Sequence, residues 1–138
     1  EKVFFGEETF IYYGPNMELS SNSVTAQFAA AQPLAQYSPQ YVMNSYINEY
    51  FTKNNCPPAK TQAWFSTPYA IMNYCQQNRI GALLPKRFLS AMGVIGGYAE
   101  LKPILQIPCC LVYKKENPKY KTIQIFIDYM RQVYHLKK

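Results

Sequence analysis

Gln36-Tyr37-Ser38-Pro39-Gln40 joins the end of a strand to the signature of a helix start. Residues 34–37 read as a short strand, and Ser before Pro is a helix-start signature: a hydroxyl N-cap, then proline at the first helical position. The helix predicted from Ser38 onward places Met43, Tyr46, Ile47, Tyr50 and Phe51 on one face and Asn44, Ser45, Asn48, Glu49 and Thr52 on the other. Asn54-Asn55 and Pro57-Pro58 end it. The same grammar then repeats. Residues 60–65 read as a strand, Ser66-Thr67-Pro68 as a second hydroxyl cap with proline, and the helix through Asn78 is apolar on most sides, so deep burial is expected.

Outward from this pair, residues 3–5 and 8–13 are aromatic and β-branched and read as two strands, broken by Gly14-Pro15-Asn16. The polar stretch 16–32 leaves room for one short helix near residues 24–30. Downstream, Ile80-Gly81-Ala82-Leu83-Leu84 is an unbroken apolar run stopped by Pro85, as expected of a strand covered on both faces. A helical turn over 85–92, a glycine loop over 93–97 and strands over 101–105 and 107–113 follow. A charged turn around Asn117-Pro118 leads to a last helix over 122–135, with Ile123, Phe126, Ile127, Met130 and Val133 as its core stripe. Strands and helices alternate, which predicts an α/β class with a mostly parallel sheet.

The chain has 138 residues, 49% of them hydrophobic and only 16% charged, enough to bury a core. No apolar run approaches the roughly 20 residues that cross a bilayer, and Glu1–Glu8 lacks the layout of a signal peptide. The net charge of +6 is uneven: residues 1–52 sum to −4, while 53–113 and 114–138 each sum to +5. That balance suits a solvated surface first and phosphate contacts second. The mixture of Lys114, Lys115, Lys119 and Lys121 with Tyr113 and Tyr120 suggests nucleic-acid contact, but it falls in a turn before an amphipathic helix. Cys56, Cys75, Cys109 and Cys110 include no C-x-x-C pair, and the adjacent two point to opposite faces of a strand. They read as reduced, mostly buried thiols of a cytoplasmic protein.

Catalysis has little to work with. The one histidine, His135, lies among lysines near the C-terminus; there is no nucleophile–base pair, phosphate loop or metal-ligand cluster. The reading is therefore not an enzyme, with no catalytic residue, metal or cofactor. The two junctions offer binding instead. Ligands of open α/β sheets sit beyond the carboxyl ends of the strands, where helix N-termini present unpaired N–H groups and positive potential. Ser38 and Ser66-Thr67 are placed to hold a small anion, with Gln40, Tyr41, Trp64 and Tyr69 shaping the rest of the pocket. The competing reading of the same hydroxyls is structural, since an N-cap stabilises its helix by about 0.5–2 kcal/mol.

Three stretches in order resemble the effector-binding domain of LysR-type transcriptional regulators: Gln36-Tyr37-Ser38-Pro39; Ile80-Gly81-Ala82-Leu83-Leu84-Pro85-Lys86-Arg87-Phe88-Leu89, similar to that family's GIALLP segment; and Cys110-Leu111-Val112-Tyr113 followed by Phe126-Ile127-Asp128-Tyr129-Met130. In place of the family's glycine-ended helix, Asn78 is expected as a left-handed C-cap. The resemblance implies a periplasmic-binding-protein-like two-lobe architecture. Residues 1–13 would end lobe I and approach the crossover, 14–107 would be effector lobe II, and 108–138 the return strand and last helix of lobe I. The DNA-binding winged helix-turn-helix and the first half of lobe I would lie outside this chain. It implies a small-molecule effector bound between lobes at Ser38, Pro39, Gln40, Trp64, Ser66 and Thr67. It also implies DNA contact only through the winged helix-turn-helix, no membrane, and a homodimer or homotetramer in the full-length protein. A solute-binding protein of a transport system, which shares the two-lobe fold, is the alternative.

Overall fold

The computed structural model describes residues 1–133. His135, expected at the end of the last helix, lies outside the described residues. The chain divides into two compact units, Thr9–Ile107 and a smaller one built from Glu1–Glu8 and the chain from Pro108 onward.

The larger unit is α/β. β1 (Lys2–Tyr13) contributes its buried end, Phe10 to Tyr13, to the centre of the sheet, pairing with β5 (Ala82–Pro85) on one side and β6 (Tyr98–Lys102) on the other. β2 (Ser23–Thr25) flanks β6. Beyond β5, Gly81 accepts from the Ala35 N–H at 2.9 Å and donates to Pro33 at 3.0 Å, which brings in β3 (Pro33–Tyr37). β4 (Lys60–Phe65) completes the row beside β3. The four helices of this unit are α1 (Ala26–Ala31), α2 (Val42–Lys53), α3 (Pro68–Gln77) and α4 (Lys86–Ala91).

Three parts of the expected sheet are corrected. It is mixed rather than mostly parallel: β2–β6 and β3–β4 are parallel, but β1 runs antiparallel to both β5 and β6. No single crossover helix links β1 to those neighbours, so nothing obliges it to share their direction. β6 begins at Tyr98, three residues before the expected strand, and its apolar positions Ala99 and Leu101 alternate with Tyr98, Glu100 and Lys102. β1 is also one continuous strand, because Gly6 carries a φ of +131° that glycine tolerates without breaking the run.

Helix ends show where side chains replace backbone devices. Thr25 caps α1 by accepting from the Phe28 N–H at 3.0 Å. Asn78 is not a left-handed cap; its backbone is extended. The last carbonyls of α3 are satisfied by amides instead: Asn16 Nδ2 donates to Gln76 at 2.7 Å, and Asn78 Nδ2 to Tyr74 at 2.9 Å. α3 is also less enclosed than its composition suggests. Ile71, Met72 and Cys75 are buried, but Tyr69 is exposed.

The core forms around Tyr12, fully buried, whose hydroxyl donates to Met17 Sδ at 3.0 Å. Tyr12 explains Gly81, because a Cβ there would overlap the tyrosine hydroxyl and come within 2.6 Å of a ring carbon. Only glycine lets the strand approach so closely.

The smaller unit holds the outer part of β7 (Leu105–Val112), paired with β1, and α5 (Tyr120–Val133). Glu1 and Tyr113 exchange backbone bonds, and the Tyr113 hydroxyl donates to Glu1 Oε2 at 2.5 Å while accepting from Gln124 Nε2 at 3.1 Å. Of the stripe expected to be core on α5, only Ile127 is fully buried; Phe126 and Val133 are exposed, as are Ile125 and Tyr129. Two strand segments cannot cover the whole apolar face of a four-turn helix. The reading of mostly buried cysteines is also corrected. Cys75 is buried, whereas Cys56 and Cys110 are half-buried and Cys109 is exposed; all four are thiols.

Candidate functional site

β3 and β4 run side by side in the same direction and end together, with Tyr37 opposite Phe65. The two chains leaving the sheet are therefore neighbours. The Ser38 N–H donates to the Phe65 carbonyl at 2.9 Å, one residue past the last paired position. Ser38 and Ser66 lie 28 positions apart in the sequence; the parallel pairing brings their turns together.

The two turns differ in build. At the second, the expectation holds: Thr67 Oγ1 accepts from the Ala70 N–H at 3.2 Å, and Pro68 is the first residue of α3. At the first, it is corrected. α2 begins at Val42, not beside Ser38, and its N-cap is Tyr41, with no side-chain cap. Ser38 to Tyr41 form a β-turn closed by Tyr41 N–H to Ser38 carbonyl at 3.0 Å. Pro39 occupies the second turn position, which its fixed φ suits as well as it suits the first helical residue. Ser38 is half-buried, and Pro39, Gln40, Ser66 and Thr67 are exposed. Neither α2 nor α3 has an acidic residue in its first turn, so the positive ends of both helices are left uncompensated.

Solved structures similar to this chain include regulatory domains of LysR-type regulators. The regulatory domain of Synechocystis PCC6803 CcmR in complex with 2-PG matches with a TM-score of 0.80 at 9% identity, over 97% of this chain and 66% of that one. The effector binding domain of QuiR in complex with shikimate matches with a TM-score of 0.74 at 16% identity, over 96% and 66%. A full-length OxyR variant from Pseudomonas aeruginosa matches with a TM-score of 0.73 at 10% identity, over 95% and 50%. The chain has the fold of a LysR-type regulatory domain. By sequence, no family model and no curated protein matches it. It spans about half to two-thirds of the length of the first of these structures. No helix among the described residues is long and apolar enough to cross a membrane, and no three His, Cys, Asp or Glu side chains gather to hold a metal ion.

Within this LysR-type fold, the six residues singled out in the sequence separate. Pro39 and Trp64 line a cavity of about 400 Å³ between α2, β3, β4 and the segment Cys56 to Ala59; Ser38, Gln40, Ser66 and Thr67 are not among its walls. Gln36, Asn44, Asn48 and Thr61 supply its polar surface. A β-bulge makes this wall. Leu34 pairs with Thr61 but Ala35 pairs with Ala63, so Gln62 is an extra residue and the strand changes phase. Thr61 and Trp64, three apart in sequence, consequently face the same side as Gln36. Gln36 Nε2 donates to Thr61 Oγ1 at 2.6 Å, Asn44 Nδ2 to the Tyr37 carbonyl at 2.8 Å, and Asn48 Nδ2 to Asn44 Oδ1 at 2.9 Å. Every lining side chain is uncharged, and burial pushes the Cys56 thiol up, keeping it protonated. The signal for this pocket was a glutamine inside the apolar run of β3. Its partner Thr61 could not be found from spacing, because the bulge has no marker in Lys60–Phe65.

Proposed function

We propose that this chain is the effector-sensing part of a LysR-type DNA-binding transcriptional regulator. In this reading, residues 14–107 are effector lobe II, 1–13 the end of lobe I approaching the crossover, and 108–138 the return strand and last helix of lobe I. The division into two compact units supports that assignment. The effector is a small anionic metabolite held where β3 and β4 end, by Ser38, Pro39, Gln40, Trp64, Ser66 and Thr67. The observation that carries the proposal is the bond from Ser38 to Phe65, which holds together the two turns that lead into the acid-free starts of α2 and α3, in a fold shared with regulatory domains solved in complex with 2-PG and shikimate. Backbone N–H groups and the partial positive charge of such ends favour anions.

The protein acts without chemistry of its own. Differential affinity of the effector for two arrangements of the regulator shifts their populations, and DNA is contacted through a winged helix-turn-helix outside this chain, in a cytoplasmic homodimer or homotetramer. The exposed apolar residues of α5, Ile125, Phe126 and Tyr129, fit a helix that the first half of lobe I would cover.

Thermal unfolding against a panel of small carboxylates and phosphates tests the site. One or more should raise the melting temperature saturably, and Ser38→Ala and Thr67→Ala should each weaken that effect. Variants that lose stability but keep full affinity would overturn the residue assignment. A winged helix-turn-helix encoded upstream would support the regulator; an export signal there would replace it with a transport protein.

A further inference from the structure

By sequence Asn44 belongs to the polar face of α2, yet it is 8% exposed. A buried amide lowers stability unless its ends are matched. Asn44 has both ends matched: its Nδ2 donates to the Tyr37 carbonyl at 2.8 Å, and its Oδ1 accepts from Asn48 Nδ2 at 2.9 Å. A carbonyl can only accept, so the Tyr37 bond fixes which end of the Asn44 amide is nitrogen. Asn48, one helical turn on, holds the other end.

The bond to Tyr37 spans the first of the two turns at the proposed site. Tyr37 is the last residue of β3 and Asn44 the third of α2, so the amide closes residues 38–43 into a loop tied at its base. α2 has no side-chain cap; Asn44 ties the helix start to the strand instead. Inside the loop, the Tyr41 N–H is spent on the Ser38 carbonyl and the Asn44 N–H on the Tyr41 carbonyl, while the Ser38 N–H reaches out to Phe65. Among the described residues, the N–H groups of Gln40, Val42 and Met43 remain as the loop's donors. One side of the turn is thus pinned to β4 and the other to Asn44.

We infer that Asn44 is a positioning residue of the effector site: its bond to the Tyr37 carbonyl fixes the turn from Ser38 to Tyr41 and so aims the N–H groups of Gln40, Val42 and Met43. It touches no effector itself. The inference rests on the anion site proposed above. An amide with a structural role alone would serve stability; a positioning amide also sets affinity, because donors already held in place need not be ordered when the ligand arrives.

Inorganic phosphate is the probe, titrated into the full chain with the amide resonances of Gln40, Val42 and Met43 as the readout. Asn44→Leu keeps a side chain of similar size and removes both hydrogen bonds. It should weaken phosphate at least about fivefold, within the reach of a single hydrogen bond. Hydrogen exchange separates position from stability. In the variant the Ser38 and Tyr41 N–H groups should exchange at least about tenfold faster, while Ala35, bonded to Gly81 from the same strand, keeps its rate. Asn48 is exposed, and Asn48→Ala frees the far end of the Asn44 amide without touching the core. It should weaken phosphate at least about twofold with no change in urea midpoint, and it decides the matter if Asn44→Leu does not fold. Full phosphate affinity in the deciding variant, or exchange that rises as much at Ala35 as at Ser38 and Tyr41, overturns the role of Asn44 and leaves the anion site standing. Failure of the unaltered chain to bind phosphate at these amides overturns the anion site, and the role of Asn44 with it.

Discussion

The Ser38 backbone N–H and the Phe65 carbonyl meet at 2.9 Å, just beyond the last register pair of β3 and β4. The bond uses main-chain atoms on both sides. It holds the two strand-to-helix turns together whatever side chains they carry, which separates the architecture of the junction from the chemistry of its hydroxyls.

Substitution at the two hydroxyls should therefore have unequal effects on stability. Thr67→Ala removes the acceptor for the Ala70 N–H and should cost about 1 kcal/mol. Ser38→Ala leaves the bond to Phe65 intact and should stay within about 0.5 kcal/mol of the parent. Urea unfolding of the two variants checks this; equal losses would show that the Ser38 hydroxyl is itself engaged.

Gly81→Ala should destabilise by about 1–3 kcal/mol, because the new methyl group meets the buried Tyr12 ring and its hydroxyl. Adding Tyr12→Phe should recover only part of the loss. The hydroxyl goes, but ring carbons at 2.6 and 2.7 Å from the new Cβ remain. A double-mutant cycle by urea unfolding measures the coupling.

Alkali should unfold the protein over a defined window. Burial pushes the Tyr12, Tyr37 and Tyr50 hydroxyls up from 10.0 to about 12. The folded chain then holds protons that the unfolded chain releases. Stability is fully present below about pH 10, falls as pH rises, and is lost through about pH 12. Ultraviolet titration of tyrosinate should show a late group of tyrosines whose ionisation coincides with loss of circular dichroism. Ionisation of all tyrosines near pH 10 with the fold intact would contradict it.

The thiols should divide by position. Burial pushes Cys75 up to about 12 and closes it from solvent, while Cys109 is exposed. With a thiol reagent at pH 8, Cys109 should be modified first and Cys75 only after denaturant is added. Peptide mapping after a short exposure distinguishes them, and early labelling of Cys75 would mean that α3 opens readily.

Local signals carried most of the element order. Thr67-Pro68 carries the hydroxyl-then-proline signature of a helix start and is one here, and Lys60–Phe65 is a strand by composition. Ser38-Pro39 misled because proline's fixed φ serves a β-turn and a first helical turn alike; only the Tyr41–Ser38 bond distinguishes them. Asn78 misled for a related reason. Its amide caps from an extended backbone, and Asn16, distant in sequence, completes the helix end. β2 was invisible, since three residues in a polar stretch become a strand only through their pairing with β6.

Local sequence was enough for the alternation of strands and helices, the α/β class, the Thr67 cap and the two places where chains leave strands, because these depend on neighbours a few residues away. Tertiary structure alone decided that those exits are adjacent, that β1 runs against its neighbours, that Gly81 must admit Tyr12, and that a bulge at Gln62 turns Thr61 toward Gln36. Each of these depends on a partner far along the chain, and pairing over that distance is set by how a whole sheet packs, which no local pattern encodes.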